Sequence, residues 1–109
     1  MLLLFGSRAR GDARADSDWD LGYLSTEALD AAGLLARVVE SIGTDRIDLV
    51  DLKRASGLTR YRAARDAQLV YEAAPGVLER FRLEATRFWC DAAPILQRGY
   101  DEVLAELER

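Results

Sequence analysis

Three aspartates and one glycine–serine pair carry the chemistry open to this chain. In Asp18-Trp19-Asp20 the carboxylates stand two residues apart. On an extended strand both project from one side, and Trp19 from the other. Carboxylates that close repel and raise each other's pKa. A divalent cation relieves the repulsion, and hard oxygen donors suit Mg²⁺, which also takes substrate phosphate oxygens. Ten residues upstream of this pair, Gly6-Ser7 follows the apolar run Leu2 to Phe5. A glycine leaving a strand lets backbone approach a ligand closely. A serine opening a helical turn presents free N–H groups that attract anions. Arg8 and Arg10 can add positive charge to a phosphate chain lying there, or instead form surface ion pairs. Gly6, Ser7, Arg8 and Arg10 are therefore the candidate phosphate-binding residues, and Asp18 and Asp20 the candidate metal ligands. A third carboxylate comes from "RIDLVDL" (Arg46 to Leu52). Asp48 and Asp51 differ by an odd number of residues and face opposite ways on a regular strand. Asp48 lies between Ile47 and Leu49, and a buried carboxylate needs a metal or a partner. Asp51 can simply cap the turn that follows. Asp48 is thus the expected third member.

The composition narrows the alternatives. The chain has 109 residues and no histidine. Histidine-based triads, histidine zinc sites and histidine general bases are excluded together. Carboxylates, arginines, hydroxyls and bound metal are what remains. The formal net charge is −4, which speaks against coating nucleic acid, so no direct DNA binding is expected. The single cysteine, Cys90, permits no internal disulfide or cysteine cluster, and its amphipathic setting reads as a buried structural thiol. "MLLLF" is too short for a signal-peptide core or a membrane span, and a reducing cytoplasm is the expected compartment.

The elements that must position these groups follow from patterning. Leu2 to Phe5 reads as a buried strand. "SRARG" reads as a short helical turn that Gly11 ends. Asp12 to Ser17 is turn-prone, with Ser17, Gly11 and Gly22 read as turn residues. Asp18 to Leu24 reads as a second strand, with Trp19 in the core. A helix capped by Ser25 or Thr26 should present Leu29, Ala32, Leu35, Ala36 and Val39 to the core and end at Gly43. Arg46 to Leu52 is a third strand, followed by a short turn. Leu58 to Ala67 reads as a helix capped by Thr59, with "RYRAARD" as a solvated face in preference to a contact with phosphate or RNA. Gln68 to Ala73 is an edge strand. From Pro75 a helical stripe runs through Val77, Leu78, Phe81, Ala85, Phe88 and Ala92, then Leu96, Tyr100, Val103, Leu104 and Leu107. Pro94 should kink or split it. Phe88, Trp89 and Tyr100 read as core or partner interface. The fold class is α+β: a small mixed sheet with helices packed on it and a helical C-terminal arm. One domain spans 1–109, with residues 1–73 as core and 75–109 as arm.

The wording "GSRARGDARADSDWD", Gly-Ser, ten residues and then Asp-x-Asp, resembles the signature of the DNA polymerase beta-like nucleotidyltransferase superfamily. "RIDLVDL" is similar to its third-aspartate strand. Within that superfamily the chain looks like the minimal nucleotidyltransferases, often antitoxin partners of HEPN-domain toxins. The resemblance covers the chain through about Glu72. It implies two Mg²⁺ ions held by Asp18, Asp20 and Asp48, ATP as donor with its β/γ-phosphates on Gly6-Ser7, and pyrophosphate as leaving group. It further implies AMP transfer to a hydroxyl, expected on tyrosine, of a cognate HEPN ribonuclease toxin held in a hetero-oligomer. Two alternatives stay open: an antitoxin acting by stoichiometric binding alone, and a small-molecule nucleotidyltransferase of the aminoglycoside-modifying kind. The family usually carries a helix before its first strand, where this sequence begins on the strand. That departure points to a missing N-terminal segment or a minimal variant.

Overall fold

The computed structural model describes residues 1–108. Four strands form one sheet in the order β3-β2-β1-β4: β1 (Leu2–Phe5), β2 (Trp19–Tyr23), β3 (Ile47–Asp51) and β4 (Gln68–Tyr71). β1 runs antiparallel to β2 and to β4, while β2 and β3 are parallel. The sheet is mixed, as expected, and β4 is an exposed edge. Five helical residues, α1 (Gly6–Arg10), follow β1 directly and end on Gly11 at φ 84°.

Register assigns the two faces. Leu3 pairs with Gly22 and Phe5 with Asp20 across β1 and β2, and Asp20 and Gly22 stand beside Asp48 and Val50 of β3. Paired residues share a face, so these six form one side of the sheet. On that side lie α3 (Gly57–Asp66) and the start of α4 (Val77–Leu107). The core gathers Leu3, Phe5, Leu52, Ala63, Ala64, Ala67, Phe81 and Ala85. Gly22 lies in the strand and is no turn residue: a Cβ there would come within 2.8 Å of Leu52, which is fully buried. The glycine lets that leucine press onto the sheet.

Helix α2 (Ala31–Ile42) joins the parallel strands β2 and β3 and lies toward the other face. Its cap is Asp30, whose carboxylate accepts from Gly33 N–H. Ser25 instead folds onto Glu27 in the preceding loop. The late start leaves Leu29 outside the helix and exposed. The face turned inward holds Leu34, Leu35, Val38, Val39 and Ile42, while Ala32 and Ala36 point to solvent. Burying the larger side chains removes more apolar surface from water. Gly43 closes α2 at φ 82°, as its sequence position predicts.

α3 begins earlier than expected, because Ser56 caps it by accepting from Thr59 N–H. Two arginines lock this helix in place. Arg60 donates to Leu52 O and lies over the Phe81 ring, and Arg82 donates to Ala64 O and Ala67 O at the C-terminal end of α3. α4 runs unbroken through Pro94, so the proline does not split it. At 1.5 Å per residue its 31 residues span about 46 Å. Only Phe81 and Ala85 of this helix are buried. Beyond them Phe88, Ile95, Leu96, Tyr100, Val103, Leu104 and Leu107 are exposed. Trp89 stacks on Tyr61 at 5.9 Å. Cys90, expected in the core, faces solvent, because the apolar stripe of α4 passes beside it. No helix among the described residues is long and apolar enough to cross a membrane.

Candidate active site

Where β1 gives way to α1, a cleft of about 630 Å³ opens on the α3 side of the sheet. Gly6 and Ser7 form its entry from β1, Asp20 and Asp48 one wall, Phe5 and Val50 part of its lining. Thr59, Arg62, Arg65 and Asp66 of α3, with Arg10 of α1, form the opposite wall. A larger hollow of about 700 Å³ lies around Tyr23, Ser25 to Leu29, Asp51, Lys53 and Arg54. There Asp51 accepts from Lys53 N–H and pairs with Arg54, the turn-capping role its position suggests. The smaller cleft is where the chemistry gathers.

Asp20 and Asp48 are register partners on adjacent parallel strands, so their carboxylates emerge side by side. Asp20 is half-buried. Burial pushes its pKa up, first of all, and the charges of Asp48 and Asp18 push it further, against a smaller opposing effect of Arg10. Asp18 lies one residue before β2 and is exposed. Asp48 is exposed too. It sits on the open rim of the sheet and is not buried within the apolar run, because β3 is the outer strand on that side.

Gly6 shows why these residues need one another. Its φ is +73°, a region costly for any residue with a Cβ. A Cβ at Gly6 would fall on Oδ2 of Asp20 and 3.1 Å from its Cγ. The absent side chain leaves the space in which the Asp20 carboxylate rests. The glycine thus serves the aspartate directly, as well as freeing the turn.

The expected arginines divide. Arg10 lines the cleft and binds Asp12 and Asp66. Arg8 does not line it. Its guanidinium donates to Ser17 O at 2.8 Å and to Ala15 O, and lies 4.6 Å from the centre of the Trp19 ring. Together with Arg46, which donates to Asp16 O, it pins the loop that delivers Asp18. Ser17 turns that loop by accepting from Arg14 N–H. Trp19 is half-buried on the face opposite Asp20.

The sequence favours a solvated face for the α3 run over a phosphate contact, and the structure puts part of that face in the cleft wall. Thr59, Arg62 and Asp66 recur at helical spacing and share one side, but an exposed arginine-rich face reads the same whether it meets water or a ligand. Asp66 is the hub of this wall. It accepts from Arg65 and from Arg10, and these hydrogen bonds, that from Arg65 foremost, hold its carboxyl below the usual range against the effect of burial.

Among the described residues no three aspartate, glutamate, histidine or cysteine side chains are grouped so as to hold a metal ion by themselves. The donor set nevertheless fits a hard divalent ion. Asp20 sits in a cradle that a Cβ would fill, carries repulsion from two carboxylates that Arg10 offsets only in part, and has no hydrogen bond or ion pair among the described residues. An open set of few carboxylates is what Mg²⁺ uses when substrate oxygens and water complete its shell.

Comparison with known proteins bears on the fold and the family. The family described as "Polymerase beta, Nucleotidyltransferase" matches residues 1–75. The chain is 35% identical over 95 residues to the protein adenylyltransferase MntA of Aphanizomenon flos-aquae, across 75% of this chain and 63% of that protein. It therefore spans less than two thirds of that relative's length. Among solved structures, one of a toxin–antitoxin with AMP-PNP superposes with a TM-score of 0.77 at 24% identity, over 94% of this chain and 84% of the other. Another, of a tri-AMPylated Shewanella oneidensis HEPN toxin in complex with an MNT antitoxin, superposes with a TM-score of 0.70 at 22% identity, over 94% and 81%. At those identities the superpositions establish the fold, and the match over residues 1–75 establishes the family. The chain belongs to the polymerase beta nucleotidyltransferase family.

Proposed function

We propose that this chain is an antitoxin-type protein adenylyltransferase, which transfers AMP from ATP to a hydroxyl, on tyrosine, of a HEPN-family toxin. The observation that carries the proposal is the placement of Asp20 beside Asp48 across β2 and β3, facing the Gly6-Ser7 turn in one cleft. The similarity to a protein adenylyltransferase supports the choice of reaction, and the likeness to antitoxin complexes supports the choice of partner.

Asp18, Asp20 and Asp48 are the residues that would hold two Mg²⁺ ions. When bound, such a pair stabilises charge on the attacking and leaving oxygens of an in-line displacement. Gly6 and Ser7 hold the β/γ-phosphates and so fix the α-phosphorus near the carboxylates. Asp48, on the open rim, is placed to receive the proton of the incoming hydroxyl. The hydroxyl oxygen forms a bond to the α-phosphorus, the bond from that phosphorus to the β-phosphate bridging oxygen breaks, and pyrophosphate carries away the electron pair. The absence of histidine is consistent with this division of labour. Residues 1–73 act as the catalytic core, and the arm from 75 onward, whose outer apolar face is exposed, docks the toxin in a hetero-oligomer. The cytoplasm, where ATP is supplied, is the compartment this reading implies.

The test incubates the chain with α-labelled ATP, Mg²⁺ and a HEPN partner from the neighbouring gene. Label is expected on the partner, and Asp18→Asn with Asp20→Asn is expected to abolish it. Neutralisation of the toxin that survives the double substitution would show stoichiometric binding instead, and label on an aminoglycoside would show a small-molecule acceptor.

A further inference from the structure

The cleft carries opposite charge on its two walls, and only part of the positive wall is spoken for. Arg10, Arg62 and Arg65 line it together with Asp66. Asp66 accepts from Arg10 through Oδ2 at 2.9 Å, and from Arg65 through both oxygens at 2.9 and 3.2 Å. Its side chain is 4% exposed, so one nearly buried carboxylate serves two of the three arginines. Arg10 is engaged a second time by Asp12. Arg62 is exposed and has no hydrogen bond or ion pair among the described residues. Asp66 lies four positions further along the same helix, the spacing at which an arginine would pair with it, yet its oxygens are directed to the other two. The outcome is a guanidinium at the cleft mouth with its donors free, one helical turn from the hydroxyl of Thr59.

We propose that Arg62 binds the terminal phosphates of the nucleoside triphosphate and the departing pyrophosphate. This rests on the nucleotidyl-transfer reading and adds a direction to it. The phosphate chain would run from the Asp20/Asp48 wall, past Gly6-Ser7, to α3, with its β and γ groups at Arg62 and its α-phosphorus at the carboxylates. A planar guanidinium can engage two phosphate oxygens at once. Arg10 and Arg65, held by Asp66, shape the wall and keep it positive without turning toward the ligand. Because Arg62 meets only the part of the donor that leaves, it should distinguish triphosphate and pyrophosphate from AMP.

The experiment measures binding of AMP, pyrophosphate and α,β-methylene ATP by calorimetry in the presence of Mg²⁺. It uses the full chain, its Arg62→Ala and Arg62→Lys variants, and Arg98→Ala as a control for loss of one exposed arginine elsewhere. A charge-assisted hydrogen-bond pair is worth enough that Arg62→Ala should weaken pyrophosphate and the ATP analogue by roughly ten- to a hundredfold. AMP binding should be unchanged, Arg62→Lys should fall between, and Arg98→Ala should match the wild type. Unaltered thermal unfolding of the Arg62 variants would confirm that the fold is intact. Equal weakening of all three ligands, or none, would overturn the assignment of Arg62 while leaving the wild-type site in place. A wild-type chain that binds none of the three would overturn the nucleotide reading and this inference together.

Discussion

Replacing Gly6 by alanine should damage the protein in two separable ways. The first is conformational: at φ +73° a residue with a Cβ costs about 1–2 kcal/mol. The second is steric: the new methyl would land on Asp20 Oδ2 and lie 3.1 Å from Cγ, forcing the carboxylate off its preferred rotamer at about 0.5–1.5 kcal/mol. Together they amount to about 1.5–3.5 kcal/mol, or a fall in Tm of about 6–28 °C for a domain of this size. Gly11→Ala supplies the comparison. Its φ is +84°, and a Cβ there meets nothing within 4 Å, so only the conformational share applies. Urea unfolding at neutral pH without added Mg²⁺ should therefore show Gly6→Ala costing more than Gly11→Ala. In an Asp20→Ala background, where of the three nearest atoms only the Asp20 Cβ at 3.3 Å remains, the two costs should converge, as a double-mutant cycle detects. Equal costs for the two substitutions in the wild-type background would refute the idea that the Asp20 carboxylate rests on Gly6.

Asp20→Asn should raise Tm at pH 7 in the absence of metal. The folded-state pKa of Asp20 is raised, so its ionised form costs stability at neutral pH, and that cost fades as pH falls through the raised pKa toward 3.8. The gap between variant and wild type should close on acidification, and Mg²⁺ should stabilise only the wild type in thermal scans. Asp66 has the opposite sign: its lowered pKa means that the stability it contributes is present above 3.8 and is lost below that. Asp66→Asn should thus be less stable at pH 7 and show a flatter stability profile between pH 4 and 2, read by denaturant unfolding across that range. Gly22→Ala would bring a methyl to 2.8–3.0 Å from three atoms of Leu52, and overpacking of this kind should cost about 1–3 kcal/mol by the same unfolding assay.

The strands that carry the aspartates were legible because their patterns have few competing readings. Leu2 to Phe5 is a pure apolar run, Asp18 to Tyr23 alternates, and Ile47 to Asp51 does both in part. Their pairing puts Asp20 beside Asp48, as the sequence pattern suggested. Helix starts were less legible. Ser25, Thr26 and Asp30 are all good caps, and only the chain's path selects Asp30. Ser56 over Thr59 is the same kind of choice. The burial of Asp48 was misjudged because apolar neighbours along a strand do not reveal whether that strand lies at a sheet's rim. Arg8 looked like a phosphate ligand because of its position after Gly6-Ser7, and only tertiary structure shows its guanidinium spent on Ser17 O and Trp19. The α3 wall was hidden for a related reason: which of Arg10, Arg62 and Arg65 remains free depends on where Asp66 directs its oxygens.

The central claim is that Asp18, Asp20 and Asp48 form one catalytic unit with the Gly6-Ser7 turn. Mass spectrometry of a HEPN partner after incubation with the chain, ATP and Mg²⁺ tests it most directly. The partner should gain whole adenylyl groups on tyrosine with wild-type chain, and none with Asp48→Asn or with the Asp18→Asn, Asp20→Asn pair. Undiminished adenylylation by the Asp48→Asn chain, or no gain of mass with the wild type, would contradict the account.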